Sequence, residues 1–307
     1  MFKRLKIYIR EMFPLKTYIP FAFFNHYVLF FSVQLLLGVP KPMLSLYSLI
    51  GVATILGFML IMRIFDELKD EAVDQELFKS RPYPRGAVTK QDLLILFAMT
   101  FFLVVALNCF KIYTLPFFLL CVGYCFLTFK WFFLKDYIST NLFLALLTHQ
   151  PITLLVNIYV VSTAMVQTQT VHWSAGIFGL AVVFFLPILG WELSRKIKAR
   201  GEENKYVTYS KLIGYQWASL LSMTVNLSYT ACLIYWGIRL DMSLWHILLQ
   251  SAAALWMVFV YVRFLRAPYV VNRVLKPATE IQSTLATVLF LVFMVLHSGI
   301  EWRWFIQ

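Results

Sequence analysis

Long apolar runs separated by short polar segments dominate this chain. Each run has about 20 residues, the length that an α-helix needs to cross the hydrocarbon core of a bilayer. The pattern predicts an all-α membrane protein, a bundle of about nine transmembrane helices that forms one domain over residues 1–307. The predicted spans are 20–38, 45–64, 93–110, 113–130, 141–161, 174–193, 212–237, 244–263 and 282–300.

The composition supports this fold class. Hydrophobic residues make up 61% of the chain and charged residues 14%, whereas ordinary soluble domains contain about 45–50% and about 25%. Membrane lipids are therefore the expected surroundings, and little of the chain is left for a large soluble domain. The net charge of +12 does not indicate nucleic-acid binding, because the basic residues lie in short segments between apolar runs, where they set the topology.

The basic residues also predict the orientation of the chain. With nine spans, all but four of the 27 lysines and arginines lie on the side of the N-terminus. An excess of Lys and Arg marks the cytoplasmic side, so we expect a cytoplasmic N-terminus and, in a bacterium, an inner-membrane protein. The exceptions are Lys41, Lys111, Arg239 and Arg303. The charged segments on the N-terminal side include 1–19, which is typical of an amphipathic surface helix, 65–92 and 191–211.

The densest acidic cluster follows the second predicted span. Asp66, Asp70 and Asp74 stand four residues apart, so on a helix they would line one face at steps of about 6 Å. Like charges at this spacing repel each other, and Glu67 and Glu71 add to the charge. The cluster predicts a bound cation, and Mg²⁺ suits one or two carboxylates together with water and substrate phosphate oxygens. The alternative is an acidic helix end that faces water.

A basic, proline-rich loop comes directly after the acidic cluster. Pro82 and Pro84 disfavour a helix, and Arg81 and Arg85 carry guanidinium groups of the kind that bind phosphate oxygens in a bidentate manner. Carboxylates beside arginines at a membrane boundary are suited to a metal ion together with substrate phosphate oxygens.

Together the two motifs resemble the first signature of the UbiA superfamily of intramembrane prenyltransferases, NDxxDxxxD followed by RPxPxG. Asp66 stands at the family's Asn and Glu67 at its first Asp, whereas Asp70 and Asp74 are identical to the pattern. The loop matches at every fixed position. The resemblance implies a UbiA-like prenyltransferase fold, a polyprenyl diphosphate substrate, and Mg²⁺, with Mn²⁺ as a substitute, held by these four side chains.

A second charged segment ends the sixth predicted span. The family carries another acidic motif there, DxxxD, which holds a further Mg²⁺ against the same diphosphate. Glu192 stands at its first Asp, but Lys196 stands at its second. Two interpretations remain open. Either Glu202 and Glu203 supply carboxylates from the loop, or Lys196 and its neighbour Arg195 neutralise the diphosphate directly.

Other positive charges near these motifs are candidate diphosphate contacts. Lys130 ends the fourth span in an aromatic stretch similar to the family's, although Trp131 replaces the Arg that usually follows. A lysine that reaches toward the membrane surface is the alternative explanation. The predicted diphosphate-binding residues are Lys69, Arg81, Arg85, Lys130, Arg195 and Lys196.

Three polar residues, His149, Gln150 and Asn157, lie in the fifth apolar span. They either line a substrate chamber or hydrogen-bond across helices. Aromatic residues make up 18% of the chain, enough to line a prenyl tunnel and stabilise an allylic cation, although aromatic residues also pack helices.

The expected function is Mg²⁺-dependent transfer of a prenyl group from a polyprenyl diphosphate to a lipid-soluble acceptor, in one interpretation aromatic, through an allylic cation with release of pyrophosphate. Glu192 or Asp66 would accept the proton that the acceptor loses. The predicted catalytic residues are Asp66, Asp70, Asp74 and Glu192. The predicted metal ligands are Asp66, Asp70, Asp74, Glu67, Glu192, Glu202 and Glu203.

Two other functions remain open on the same scaffold. A terpene cyclase would use the same metal site without needing an acceptor, and a non-catalytic protein would bind lipid or assist assembly. An ion-coupled transporter is disfavoured, because such proteins more often show intramembrane carboxylates or interrupted helices, whereas this chain concentrates its charge on one side.

Overall fold

A computed structural model describes residues 1–199, 201–203 and 207–304 of the chain. Over these ranges the chain is a helical bundle with one pair of two-residue strands. The helices are α1 (Phe2–Met12), α2 (Leu15–Leu36), α3 (Leu46–Lys69), α4 (Glu71–Leu77), α5 (Lys90–Asn108), α6 (Leu115–Phe129), α7 (Lys135–Ile138), α8 (Leu142–His149), α9 (Pro151–Gln167), α10 (Ala175–Val183), α11 (Leu186–Arg195), α12 (Tyr209–Arg239), α13 (Leu244–Arg266) and α14 (Leu275–Ser298). Two 3₁₀ turns (Trp131–Phe133 and Val270–Asn272) and the strands β1 (Met43–Leu44) and β2 (Glu301–Trp302) complete it.

Within the described ranges, eight helical segments are long and apolar enough to cross a membrane. α6 is a shorter apolar helix of 15 residues, which rises about 22 Å. β1 follows the first span and β2 follows the last, and the two strands pair in parallel, with Met43 opposite Glu301. The two strands therefore lie on the same side of the membrane, so the chain must cross the membrane an even number of times between them. Seven of the eight long spans lie between the strands, and the number becomes even only if α6 also crosses the membrane. The predicted count of about nine agrees with this fold.

Two predicted spans, 141–161 and 174–193, are each built from two helices. Pro151 is the first residue of α9, and Pro187 lies in the first turn of α11. Proline has no N–H to donate to the carbonyl group four residues earlier, so the run of helical hydrogen bonds is interrupted there. The prediction of one continuous helix per span is wrong at these two places. Because interrupted helices are present, only the placement of charge still distinguishes the chain from an ion-coupled transporter.

α2 lies in the core of the bundle and packs on α3, α9 and α14. Its contact with α3 is close, because a Cβ added at Gly51 would clash with the imidazole ring of the buried His26. α11 packs on α12 and α14. The second charged segment, which begins at the end of α11, is thereby fixed to the bundle.

The N-terminal helix lies against the end of the bundle that carries the acidic cluster. Leu5 and Tyr8 are buried in an apolar cluster with Ile64 of α3. Arg4 donates to both carboxylate oxygens of Asp92, at the start of α5, over 2.6 and 3.0 Å. A helix thus forms over most of the segment predicted to be amphipathic, and part of its apolar face contacts protein.

Lys111 is buried at the opposite end of the bundle, between α5 and α6. Its Nζ donates to the hydroxyl of Tyr159 at 2.9 Å and lies 4.0 Å from the ring centroid of Tyr47. It forms no ion pair with any residue that the structure describes. Burial lowers the pKa of Lys111 to about 7.

This pKa predicts how stability depends on pH. An unfolded lysine has a pKa of about 10.4, so between about pH 7 and pH 10 the unfolded chain binds more protons than the folded one, and the free energy of unfolding rises with pH. We expect this rise to be smaller in Lys111→Met. Thermal unfolding midpoints in detergent at both ends of this interval measure it, with the exposed Lys41→Met as control. An equal rise in wild type and Lys111→Met would contradict the prediction.

Candidate functional site

The acidic cluster lies at the junction of two helices. α3 ends at Lys69 and α4 begins at Glu71, and Asp70 between them has φ −101° and ψ 14°. Asp66 occupies the last turn of α3, and Asp74 lies in the first turn of α4. The prediction that the three aspartates line one face of one helix is therefore wrong. A helix C-terminus carries partial negative charge, so carboxylates stacked there oppose continuation of the helix.

Asp66 and Asp70 differ in their partners. Lys69 Nζ lies 2.9 Å from Oδ1 of Asp66. Asp70 is half-buried and forms no ion pair with the residues described in the structure. Burial, together with the charges of Asp66 and Asp74, raises the pKa of Asp70 to about 6. A cation at this place would stabilise the ionised carboxylate.

The basic loop folds back onto α4. Arg81 Nη1 donates to Oδ2 of the buried Asp74 at 2.6 Å, and the Tyr83 hydroxyl donates to Glu71 at 2.7 Å. Burial and this bond to Glu71 raise the pKa of Tyr83 to about 12. Arg81 thus neutralises one of the predicted metal ligands.

Two other predicted site residues are held in ion pairs, one within α3 and one with α1. Arg63, one helical turn before Glu67 in α3, donates to the buried Glu67 carboxylate. Arg85 donates to both carboxylate oxygens of Glu11 in α1, at 2.9 and 3.0 Å. Glu67 and Arg85 are thus both paired with other side chains of the protein.

In the second charged segment, two cations hold one carboxylate. Arg195 donates to both oxygens of Glu192 at 2.6 and 3.0 Å, and Lys196 Nζ lies 3.0 Å from Oε1. The three side chains together carry a net positive charge. Of the two interpretations of this segment, the geometry favours direct contact between cations and diphosphate.

The loop carboxylates that the other interpretation requires have partners of their own. Glu202 Oε2 lies 2.9 Å from Nε of Arg273. Glu203 accepts hydrogen bonds from Thr208 at 2.7 Å and from Ser210 at 2.6 Å. These contacts stabilise the loop and engage both groups.

The two charged segments lie near each other at one end of the bundle. The charge of Lys196 lowers the pKa of Asp70, opposing the effect of burial, and Arg195 interacts electrostatically with Asp66. Carboxylates from α3 and its junction with α4 are thus within electrostatic reach of cations at the end of α11. A diphosphate with one divalent cation complements this arrangement of charge.

The two charged segments differ in how well their carboxylates suit Mg²⁺. Among the described residues, no three His, Cys, Asp or Glu side chains come together closely enough to hold a metal ion. Mg²⁺ commonly binds through one or two carboxylates and completes its shell with water and phosphate oxygens, and Asp66 and Asp70 fit this mode. Glu192 does not, because both of its oxygens already accept from cations.

Trp131 adjoins the site, although its sequence position gave no reason to include it. Lys69 Nζ lies 5.0 Å from the centroid of its ring, a cation–π contact. The turn Trp131–Phe133 has φ values of 50°, 52° and 60°, a left-handed conformation that costs about 1–2 kcal/mol per residue. Strain of this kind often marks functional sites. Lys130, just before the turn, is exposed, and its role as a diphosphate contact stays a prediction.

The polar residues of the fifth span have separate environments. Asn157 donates to the backbone oxygen of Ala181 at 2.9 Å and so bonds across from α9 to α10. His149 and Gln150 lie where α8 ends and α9 begins. His149 contacts the turn that contains Trp131, and the two ring centroids lie 5.0 Å apart.

Two solved structures are similar to this chain. A digeranylgeranylglyceryl phosphate synthase matches with a TM-score of 0.64 at 14% sequence identity, over 96% of this chain and 99% of that chain. A UbiA homologue from Aeropyrum pernix K1 matches with a TM-score of 0.63 at 13% identity, over 92% of this chain and 98% of that chain. No family model and no curated protein matches the sequence.

The likeness extends over nearly the full length of the chains compared. The chain therefore has the fold of UbiA-type intramembrane prenyltransferases, and the predicted fold class is confirmed. At these sequence identities the likeness shows the fold alone, and the chemistry has to be argued from the side chains.

Proposed function

We propose that this chain transfers a prenyl group from a polyprenyl diphosphate to a lipid-soluble acceptor and releases pyrophosphate. The observation that carries the proposal is the proximity of Asp66 and Asp70 to Arg195 and Lys196 at one end of a UbiA-type bundle. Carboxylates can hold a divalent cation that accompanies the diphosphate, and the cationic side chains can bind its oxygens directly. The fold supports intramembrane prenyl transfer in general.

Each group would have a defined role in the reaction. Asp66 and Asp70 would hold Mg²⁺, or Mn²⁺ in its place, whose chemistry when bound is to neutralise diphosphate oxygens as the leaving group departs. Lys196 and Arg195 would donate hydrogen bonds to the same oxygens and stabilise the charge that develops on pyrophosphate. The apolar interior of the bundle would hold the prenyl chain and keep water from the allylic cation.

The location of the site follows from the distribution of charge. The acidic cluster, the second charged segment and the N-terminal helix lie at the end of the bundle where nearly all lysines and arginines are found. By the positive-inside rule this end would face the cytoplasm. Diphosphate would therefore enter from the cytoplasm, and the acceptor from the bilayer.

Pyrophosphate release by the full-length protein in detergent tests the proposal. The protein is offered farnesyl, geranylgeranyl and longer prenyl diphosphates, with Mg²⁺ or EDTA, with and without a lipid extract as the source of acceptor. We expect release that requires both Mg²⁺ and extract, and a prenylated product whose mass identifies the acceptor.

Other outcomes would favour the alternatives. Release without extract, with a cyclised hydrocarbon as product, would favour a terpene cyclase. Binding of prenyl diphosphate without release at any chain length would contradict catalysis and favour a non-catalytic lipid-binding or assembly protein. The cation pair on Glu192 is the observation that keeps this last alternative open.

A further inference from the structure

Buried polar atoms at and beside the junction of α8 and α9 lack hydrogen-bond partners in the part of the chain that the structure describes. Nε1 of Trp131, Nε2 of His149 and Oε1 of Gln150 are buried and form no hydrogen bond with the described residues. Unpaired polar atoms are costly to bury. Two of them lie at the break before Pro151 and the third lies on a ring packed against His149, an arrangement that indicates a place for a polar ligand.

The hydrogen bonds of His149 identify its tautomer. Thr148 donates its hydroxyl hydrogen to the backbone oxygen of Leu144 at 2.7 Å. Nδ1 of His149 lies 3.0 Å from the backbone oxygen of Ala145 and 3.1 Å from Oγ1 of Thr148, and both atoms are left to accept. Nδ1 therefore carries the hydrogen. It follows that Nε2 presents a lone pair and can accept a proton.

These atoms adjoin the proposed diphosphate site. Lys69 Nζ lies 5.0 Å from the centroid of the Trp131 ring, and the same ring lies 5.0 Å from that of His149. His149 also interacts electrostatically with Lys69, Asp66 and Lys196. A molecule bound by Trp131 and His149 would thus lie beside the place where the leaving group departs.

One hydroxyl group complements both side chains. Its O–H can donate to the lone pair on Nε2 of His149, and its oxygen can accept from the N–H on Nε1 of Trp131. We propose that Trp131 and His149 bind the hydroxyl group of the acceptor and that His149 is the general base for its alkylation. This inference rests on the proposed prenyl transfer and names the class of acceptor, an apolar alcohol or phenol.

The step balances in bonds and charges. The bond between C1 of the prenyl group and the diphosphate oxygen breaks, and pyrophosphate leaves with the electron pair. A lone pair on the acceptor oxygen forms the new bond to C1, giving an ether. The hydroxyl proton passes to Nε2 of His149, which becomes an imidazolium and later releases the proton to water.

Binding is tested with full-length protein labelled with ¹⁵N-histidine in detergent. The His149 resonances are assigned by their loss in His149→Gln. The probes are 4-nonylphenol, dodecan-1-ol and, as a control without a hydroxyl, 4-nonylanisole. We expect the Nε2 resonance to move, to saturation, with a hydroxyl probe and not with the ether, and Trp131→Phe to weaken the response by roughly threefold to tenfold. Which hydroxyl probe binds distinguishes a phenolic from an aliphatic acceptor.

Transfer is tested with geranylgeranyl diphosphate, Mg²⁺ and the same probes, by mass detection of the ether. We expect His149→Gln to lower ether formation, and the pyrophosphate release that accompanies it, by about 10²-fold, while binding of geranylgeranyl diphosphate is unchanged. The rate of ether formation by the wild-type protein should fall at low pH, where His149 is protonated, and the rate of His149→Gln should not. A purely structural role of His149 would not produce this difference. His246→Gln is the matched control, because His246 is also buried with an unpartnered ring nitrogen and lies at the opposite end of the bundle.

Several outcomes would overturn the inference. A water molecule alone at the junction would leave Nε2 unresponsive to every probe, and an equal response to phenol and ether would exclude hydroxyl recognition. Wild-type ether formation by His149→Gln would exclude the base. If the protein releases no pyrophosphate at all, the proposed prenyl transfer is wrong. If it releases pyrophosphate at a rate that depends neither on His149 nor on the hydroxyl probes, the proposed prenyl transfer stands and only this inference is wrong.

Discussion

Asp70→Asn is expected to lower Mg²⁺-dependent pyrophosphate release by about 10²–10³-fold. Asparagine keeps the size of the side chain but removes the negative charge that would hold the cation. Asp70 is the member of the acidic cluster best placed for this role, because it is half-buried and forms no ion pair among the residues described. The measurement is the release rate at saturating geranylgeranyl diphosphate over a Mg²⁺ titration.

The same substitution should leave stability unchanged or slightly higher. Removing one carboxylate relieves its repulsion from Asp66 and Asp74. Asp74→Asn, in contrast, should lower the thermal unfolding midpoint, because it removes the 2.6 Å ion pair with Arg81. Asp241→Asn is a suitable control: Asp241 is exposed at the opposite end of the bundle, and its φ of 52° suits asparagine equally well. Wild-type release by Asp70→Asn would exclude a metal-binding role for this residue.

The apolar runs predicted the spans because a bilayer allows few alternatives to an α-helix of sufficient length. Hydrophobicity does not, however, determine where a span is interrupted. Pro20 lies inside α2 without ending it, whereas Pro151 separates two helices. The difference depends on which neighbouring groups satisfy the backbone that proline leaves unpaired, and those neighbours are distant in sequence.

The types of the charged residues were readable from the sequence, but their pairing was not. Motif spacing located the acidic cluster and both charged segments. Arg85, whose contact with diphosphate stays a prediction, pairs in this structure with Glu11, which is 74 positions away along the chain. Nothing local in the sequence could indicate this pair. For the same reason Trp131, which replaces a basic residue of the family pattern, gave no sign of its place beneath Lys69.

Lys196→Met is expected to lower pyrophosphate release by about 10²-fold with little effect on folding. The fold should persist because Glu192 keeps both hydrogen bonds from Arg195. The release rate should fall because an ammonium group near the leaving group is lost. Lys198→Met removes the same charge two residues away and should retain most of the activity. If the two variants behave alike, Lys196 contributes only to the general positive charge of the segment.

Lys196→Asp tests whether the ammonium group of Lys196 acts on the diphosphate directly or whether the site around Glu192 can bind a second metal ion. The substitution places a carboxylate four residues after Glu192, which is the spacing of the family's second acidic motif. If Lys196 acts directly on the diphosphate, the change from positive to negative charge should lower release further than Lys196→Met and should not be rescued by Mg²⁺. Rescue at high Mg²⁺ would mean that the site around Glu192 still accepts a metal ion, and that the ammonium group of the natural chain takes the place of that ion.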